Sequence, residues 1–260
     1  MYKDYIPTVL KILDEAAKMI SNGFFSTIEV ENKEDGSPVT NVDKAVDVYI
    51  RNELAKAFPG YGFLTEESKD DLSRLEKEYV WVVDPIDGTE EFIKKEYEFT
   101  TNIALVHRHE VVLAFIGVPL KNEVYYAYKD GGAYLKISNQ ETRIHVSNKS
   151  KKDLIVLVSP FHDSGLERMY LDRHASCFKE IRKAGAAYKA CLIASGKADV
   201  TYRFSCHNKE WDTAAPDLLV KEAGGYLFGG LGDPITYNKE DVVNHHGYVI
   251  VNRKENFFLG

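Results

Sequence analysis

The feature that most constrains the fold is a run of short apolar segments between Tyr79 and about Val146. The segments are YVWVV, TTNIALVH, VVLAFIGVP, EVYYAYK and GAYL. They have the length and the β-branched and aromatic content that are typical of strands. Turn residues such as KDGG at 129–132 separate them. Because short connections usually join strands that pair with one another, this region predicts a meandering, largely antiparallel sheet.

Two amphipathic helices are predicted before this sheet. Apolar residues between Ile6 and Ile20 recur at helical spacing, and a second series of this kind runs from Val42 to Phe58. The second helix stops near Pro59. A polar loop with a Gly-Ser-Pro turn signal separates the two helices.

The sequence pattern changes after a boundary between Ser147 and Asp153. Strand-like LIVLVS and ADVTYRF alternate with GLERMYLDRHA, GAAYKACLIASG and DTAAPDLLVKEAGG, as in an α/β unit. We therefore predict an α/β (α+β) fold, built as a layered αβαβα sandwich. Residues 1–149 form an N-terminal α+β domain and residues 150–260 a smaller C-terminal α/β domain, with the functional site between them.

Composition excludes several classes of protein. The chain of 260 residues is 44% apolar and has a net charge of −7, which disfavours disorder and the binding of nucleic acid polymers. Three cysteines without a CxxC pair argue against a disulfide scaffold and a zinc site. No apolar run reaches the roughly 20 residues that span a bilayer. We expect a cytoplasmic protein without a transmembrane segment.

Two aspartates stand directly after YVWVV. Asp84 and Asp87 lie in DPIDG, a composition that a simple turn would also explain. However, the carboxyl end of a buried strand is where sites cluster in α/β folds. Gly88 and Thr89 then open a helical turn, whose free N–H groups suit a phosphate oxygen.

Other carboxylates stand in similar settings, and each has a structural alternative. Glu66 is followed by a second glutamate in TEES, a pair that is often solvated surface. Asp212 precedes a helix and has the residue type of an N-cap. Asp43 lies three residues after Thr40, which is the spacing of a capping box. A single site explains all of these carboxylates together.

The segments PVTNVD, TEES, WVVDPIDGTEEF and EWDTAAPDLLVKEAGG resemble the motifs of the inositol monophosphatase superfamily of magnesium-dependent, lithium-sensitive phosphatases. The resemblance covers essentially the whole chain. With DGTEEFIKKEYEFTTNIAL and the late YNKEDVVN, it is strongest to the bacterial CysQ-type 3'(2'),5'-bisphosphate nucleotidases. It implies a hydrolase of sulfur metabolism that removes the 3'-phosphate from adenosine 3',5'-bisphosphate.

The resemblance also implies a set of metal ligands, in which the isoleucine contributes its backbone carbonyl. The set is Glu66, Asp84, Ile86, Asp87 and Asp212. Such oxygen donors suit two Mg²⁺ ions, and a third is left open. Bound cations would attract phosphate to an otherwise acidic protein. The implied partner is therefore a small-molecule phosphate ester, namely a nucleotide bisphosphate.

Catalytic roles follow by the same resemblance. The implied nucleophile is a metal-bound water, with Glu66 among the catalytic residues. Thr89 accepts a hydrogen bond from this water and donates its own to Asp43. Substrate contacts are implied for Asp87, Gly88, Thr89, Asp212, Lys33 and Arg203. Lys33 has a solvated surface lysine as its alternative, and the resemblance leaves a homodimer open.

The chain departs from the CysQ pattern in four places, and these leave the substrate open. SPFH at 159–162 lacks an arginine, GAAYK at 185–189 replaces GSSLK, TYRF replaces YPRF, and Pro216 replaces a glycine. An inositol monophosphatase or a sugar-bisphosphate phosphatase would use the same mechanism. Two more distant alternatives are a phosphatase that is phosphorylated on Asp84 and a catalytically silent binding module.

Overall fold

Residues 2–161 and 164–257 are described by a computed structural model. The chain begins with helix α1 (Ile6–Phe24), a hairpin of β1 (Val30–Asn32) and β2 (Pro38–Thr40), and helix α2 (Asn41–Ala57). Thr40 caps α2, because its hydroxyl accepts from the backbone N–H of Asp43 (3.2 Å) and the Asp43 carboxylate accepts from the N–H of Thr40 (3.0 Å). The predicted capping box is confirmed.

A seven-stranded sheet follows, and its sequential strands are neighbours. Its strands are β3 (Gly62–Thr65), β4 (Tyr79–Asp87), β5 (Thr100–His107), β6 (Glu110–Val118), β7 (Glu123–Tyr128), β8 (Gly132–Ile137) and β9 (Gln140–Ile144). β3 and β4 are parallel, and the other neighbouring pairs are antiparallel. The prediction of a meandering, largely antiparallel sheet is confirmed.

The second half of the chain forms a five-stranded mixed sheet in the order β11-β10-β12-β14-β13. Its strands are β10 (Leu154–Val158), β11 (Phe178–Lys183), β12 (Val200–Arg203), β13 (Tyr226–Gly229) and β14 (Tyr248–Val251). The other α-helices within the described residues are α3 (Thr89–Ile93), α4 (Gly165–Arg173), α5 (Tyr188–Ala194) and α6 (Glu210–Glu222). The alternation of helices and strands that was predicted for this half is present.

Burial on both faces of each sheet creates the layers. On β4, Trp81 and Val83 belong to a core shared with α1 and α2, whereas Val80 and Val82 face the core that contains α5 and α6. The second core lies between the two sheets. Tyr170 of α4 packs on the outer face of the five-stranded sheet. The order α, β, α, β, α is the predicted layered sandwich.

The core between the two sheets contains residues from both halves of the chain. The cluster between the sheets contains Val82 of the first sheet together with Leu157 and Ile250 of the second. The first sheet ends at Ile144 and the second begins at Leu154, so the observed sheets are compatible with a division near residue 149. That division into two domains stays a prediction. None of the helices within the described ranges is long and apolar enough to span a lipid bilayer.

Asp217 of α6 gives the fold a pH-dependent stability. Burial raises the pKa of this half-buried carboxyl to about 6, above the value of about 3.9 in unfolded chains. Stability from this group is therefore complete below about pH 4 and is lost as the pH rises toward 6. We expect Asp217→Asn to stabilise the protein by about 2 kcal/mol at pH 8. This is somewhat less than the free energy that the pKa shift itself would give, because the side chain keeps some contact with solvent.

Urea denaturation of the wild type and of Asp217→Asn at pH 4.5, 6 and 8 tests this expectation. The difference in unfolding free energy should grow from about a third of its full value at pH 4.5 to most of it at pH 6 and all of it at pH 8. A difference of the same size at all three pH values would show that Asp217 does not titrate in this way.

Candidate active site

A cavity of about 760 Å³ lies where the carboxyl ends of β3 and β4 meet the amino-terminal ends of α3 and α6. Because β3 and β4 are parallel, the residues after β3 and at the end of β4 reach the same edge of the sheet. The predicted site residues that line this cavity are Glu66, Asp84, Ile86, Asp87, Gly88, Thr89, Arg203 and Asp212.

Three carboxylates converge in the cavity. Asp84, Asp87 and Asp212 each offer an oxygen, and these oxygens lie within 4.8 Å of one another. In a regular strand, residues three apart point to opposite faces. Here the pairing of β4 with β5 shifts register between Asp84 and Asp87, which allows both side chains to reach one site.

Asp84 is the most buried of the three and is 1% exposed. Its Oδ1 atom has no hydrogen-bond partner among the described residues. Burial raises the pKa of the Asp84 carboxyl well above its usual range, and the nearby carboxylates of Glu66, Asp87 and Asp212 raise it further. A buried carboxylate oxygen that has no partner among the described residues and lies near other carboxylates has the surroundings of a cation-binding site.

Asp87 is fixed through one oxygen. Its Oδ2 accepts from the backbone N–H of Ala187 (2.7 Å), from Nδ2 of Asn102 (3.1 Å) and from the hydroxyl of Thr100 (3.4 Å). Burial raises the pKa of this carboxyl, while Lys189 and the donated hydrogen bonds oppose the rise. The second half of the chain thus orients a carboxylate of the first half.

Asp212 is the third residue of α6, and Lys209 occupies the N-cap position. The interpretation of Asp212 as the N-cap is therefore wrong. Pro216 lies inside the helix. The backbone N–H of Lys209 donates to Oδ2 of Asp212 (2.6 Å). Burial and the neighbouring carboxylates of Asp87 and Glu66 raise the pKa of Asp212 well above its usual range.

Glu66 lines the same cavity but is paired with a lysine of the β1–β2 hairpin. The ammonium of Lys33 lies 2.7 Å from Glu66 Oε1 and 2.6 Å from Glu67 Oε1. Burial raises the pKa of Glu67 to about 7. Neither Lys33 nor this glutamate pair is solvated surface, so both of those alternatives are wrong.

Thr89 and Asp43 meet at the edge of the cavity. The Thr89 hydroxyl lies 3.1 Å from Asp43 Oδ1 and 3.2 Å from the carbonyl oxygen of Ile86, either of which can accept its proton. Asp43 is fully buried, and burial raises its pKa. Hydrogen bonds from Thr40 and Thr89 oppose that rise. The capping carboxylate is therefore also within reach of the cavity through one hydroxyl.

Gly88 explains how the chain turns from β4 into α3. Its φ of +93° lies in the left-handed region that favours glycine. A Cβ at this position would also lie 3.2 Å from the Cβ of Ala186. The α3 helix then begins at Thr89, as the helical turn predicted from the sequence requires.

Two basic side chains that line the cavity, those of Arg203 and Lys189, are buried. Arg203 is paired with Glu167 of α4, whose two carboxylate oxygens lie 3.2 Å from its Nη1. Lys189, which sequence reasoning missed as a site residue, is 4% exposed and donates to the carbonyl oxygen of Ala186 (2.7 Å). Burial lowers the pKa of Lys189 to about 8, although Asp87 opposes the shift.

The sequence signal for Lys189 was its place at the end of GAAYK, the segment that resembles GSSLK of the CysQ pattern. Sequence alone could not show its position in the cavity, because its described hydrogen bonds go to backbone carbonyls. Of the SPFH segment, Ser159 and Phe161 line the cavity, and His162 lies outside the described residues.

The donor set fits a hard divalent cation. Carboxylate and carbonyl oxygens are the ligands that Mg²⁺ takes in proteins. The orphaned Oδ1 of Asp84 is a buried acceptor to which a cation would supply the missing partner. The cluster of Asp84, Asp87 and Asp212 therefore has the chemistry of a magnesium site.

Comparison with known proteins agrees with this architecture. The model of the inositol monophosphatase family matches residues 3–256. The chain is 30% identical over 243 residues to the 3'(2'),5'-bisphosphate nucleotidase CysQ of Haemophilus influenzae, covering 92% of this chain and 89% of that protein. It is 31% identical over 222 residues to the protein of the same name from Escherichia coli, covering 85% and 88%.

A solved structure gives the same result at the level of the fold. The crystal structure of CysQ from Bacteroides thetaiotaomicron, described as a bacterial member of the inositol monophosphatase family, superposes with a TM-score of 0.81. The two chains are 29% identical, and the match covers 97% of this chain and 98% of that one. The chain described here belongs to the inositol monophosphatase family of metal-dependent phosphatases.

Proposed function

We propose that this phosphatase is a magnesium-dependent 3'(2'),5'-bisphosphate nucleotidase that converts adenosine 3',5'-bisphosphate to AMP and phosphate. The observation that carries the substrate class is the pair of buried cations, Lys189 and Arg203, in a cavity whose other charged side chains are mainly acidic. The acidic cluster, once it holds Mg²⁺, can bind the phosphate group that reacts. The two basic side chains suit a second phosphate group on the same molecule.

The residues that would hold Mg²⁺ are Glu66, Asp84, Asp87, Asp212 and the Ile86 carbonyl. Bound there, the ions would neutralise phosphate charge and make water a stronger nucleophile. In the metal-loaded protein, Lys33 would have to share Glu66 with a cation. The Lys33 ammonium itself supplies positive charge at this edge of the cavity.

The chain's own part in proton movement lies with Thr89 and Asp43. When the Thr89 hydroxyl donates to Asp43 Oδ1, its oxygen keeps a lone pair that can accept a hydrogen bond from the attacking water. This hydrogen bond aims the water oxygen at phosphorus. As the new P–O bond forms, the ester P–O bond breaks; the attacking water gives up one proton and the leaving 3'-oxygen takes one up, so that AMP and inorganic phosphate result.

Hydrolysis rates on a panel of phosphate esters test the substrate class. We expect kcat/KM for adenosine 3',5'-bisphosphate to exceed that for inositol 1-phosphate by about 100-fold, since two charge-assisted contacts to a second phosphate are worth about 3 kcal/mol. Adenosine 3'-monophosphate, which keeps the scissile ester and lacks the second phosphate, should react as slowly as inositol 1-phosphate. Fructose 1,6-bisphosphate reports on the sugar-bisphosphate alternative.

Lys189→Met provides the matched variant. It keeps the length of the buried side chain but removes its charge, so it should reduce the preference for the bisphosphate about tenfold. Equal kcat/KM values for the nucleotide bisphosphate and inositol 1-phosphate in the wild type would contradict the proposed nucleotidase activity and favour an inositol monophosphatase.

A further inference from the structure

Residues 238–244, within the YNKEDVVN segment, have no role in the function proposed above, and they surround the start of α6. The backbone N–H groups of Asn238 and Lys239 donate to the two carboxylate oxygens of Glu210, at 2.6 and 2.9 Å. Glu210 is fully buried and is the first residue of α6. Its own N–H donates to the carbonyl oxygen of Val242 (2.9 Å).

The other end of the same segment holds the residues just before the helix. Asn244 donates from Nδ2 to the carbonyl oxygen of Lys209 and to the hydroxyl of Thr213, both at 3.1 Å. Its backbone N–H donates to the carbonyl oxygen of Asn208 (2.8 Å). Residues 238–244, here called the clasp, thus fix the backbone from Asn208 to Glu210.

This backbone is what orients Asp212. The N–H of Lys209 donates to Asp212 Oδ2 (2.6 Å), and the N–H of Asp212 donates to the carbonyl oxygen of Lys209 (3.2 Å). A displacement of Lys209 would therefore move the carboxylate that completes the acidic cluster.

The clasp is tied to the first half of the chain by a buried arginine. Arg74, 1% exposed, donates from Nη1 to Asn238 Oδ1 (2.6 Å) and from Nη2 to the carbonyl oxygen of Lys239 (2.8 Å). Its Nε donates to Asp70 (2.9 Å). Arg74 lies in the β3–β4 connection, which also carries Glu66. One network therefore links the segments that bear two predicted ligands from opposite halves of the chain.

We propose that Arg74, Asn238 and Glu210 are positioning residues that set the Mg²⁺ affinity of the site by holding Asp212 in register with Glu66. The proposal rests on the metal site proposed above, but not on the identity of the substrate. Groups that orient metal ligands commonly change metal affinity by about 10–100-fold when they are removed.

Asn238 allows a clean test, because its φ of +58° would strain most other side chains. Asn238→Gly keeps that backbone conformation and removes the acceptor of Arg74. Asn238→Asp keeps both the acceptor and the tolerance of positive φ. Asn256→Ala is the matched control: Asn256 is fully buried and makes three side-chain hydrogen bonds, to Lys149, Lys151 and Asn252, away from the cavity.

Mg²⁺ affinity is measured by isothermal titration calorimetry with MgCl₂ alone, and the melting temperature by differential scanning calorimetry. We expect Asn238→Gly to weaken Mg²⁺ binding about tenfold. Asn238→Asp should stay within about threefold of the wild type. Asn256→Ala should lower the melting temperature and leave the Mg²⁺ affinity unchanged. Glu210→Gln, which leaves one clasp N–H without an acceptor, should weaken Mg²⁺ binding in the same direction as Asn238→Gly.

Two results would overturn the proposal. Asn238→Gly and Glu210→Gln could lower the melting temperature while the Mg²⁺ affinity stays at the wild-type value, which would make the network merely structural. Alternatively, Asn256→Ala could weaken Mg²⁺ binding as strongly as Asn238→Gly. Absence of Mg²⁺ binding by the wild type would instead overturn the proposed metal site, so the two failures are distinguishable.

Discussion

Asp84→Asn is expected to reduce Mg²⁺-dependent phosphate release by about a thousandfold or more, because a metal-held charge supplies several kcal/mol of transition-state stabilisation. The asparagine keeps the size of the side chain and loses the charge that a divalent cation requires. Phosphate release from adenosine 3',5'-bisphosphate at saturating Mg²⁺ measures the effect.

The same change should stabilise the protein in the absence of metal. Asp84 is buried near three other carboxylates, one of its oxygens has no partner among the residues that the structure describes, and its ionised form is unfavourable there. Removing that charge should raise the melting temperature in EDTA by several degrees, since about 1 kcal/mol corresponds to about 2–4 °C for a chain of this size. Added Mg²⁺ should stabilise the wild type and not the variant.

Asp47→Asn is the control for both measurements. Asp47 is equally buried and also has an oxygen without a partner in residues 2–161 and 164–257, but it lies outside the cavity. The Asp47→Asn variant should have a kcat within a few fold of the wild-type value. If properly folded Asp84→Asn retains wild-type turnover with Mg²⁺, the assignment of Asp84 as a ligand is wrong.

The fold could be predicted largely because its strongest signals are local. β4 is apolar on both faces, so its sequence shows an unbroken run from Val80 to Val83 rather than an alternation. Short turns between the later strands then fix which strands are neighbours. The capping box at Thr40 is equally local, because both partners lie within three residues.

The sequence pattern favoured one common site for the carboxylates, and the family resemblance then assigned them as one set of metal ligands. Nothing near Asp212 in sequence indicates that its oxygen lies within 4.8 Å of one of Asp84, since this proximity depends on how the two sheets pack. The structure brings the two together, and their role as metal ligands stays a prediction.

Pairings between distant side chains escaped sequence reasoning for the same reason. Arg203 was predicted as a substrate contact, but its ion pair with Glu167 depends on α4 packing against β12. The hydrogen bond from Arg74 to Asn238 joins two connecting segments that lie 164 residues apart in the sequence. Polar residues in loops give no periodic signal, so their partners become visible only in the folded molecule.

Thr89→Val is expected to lower kcat by about 100-fold, the low end of the range for a positioned proton-transfer group. Valine keeps the shape of threonine but has no hydroxyl, so the hydrogen bond to Asp43 and the acceptor for the attacking water are both lost. The metal ligands are untouched. KM and the Mg²⁺ affinity should therefore change little, and steady-state kinetics with Mg²⁺ titration calorimetry separates these quantities.

Two further variants decide whether the hydroxyl itself is responsible. Thr89→Ser restores a hydroxyl at the same position and should recover most of the lost kcat. Thr65→Val removes a buried hydroxyl next to Glu66 that has no hydrogen-bond partner within the described part of the chain, so it should leave kcat unchanged. The proton path from Thr89 to Asp43 would be wrong if Thr89→Val kept wild-type kcat. It would be equally wrong if Thr89→Ser were as slow as Thr89→Val, because loss of a methyl group would then have the same effect as loss of the hydroxyl.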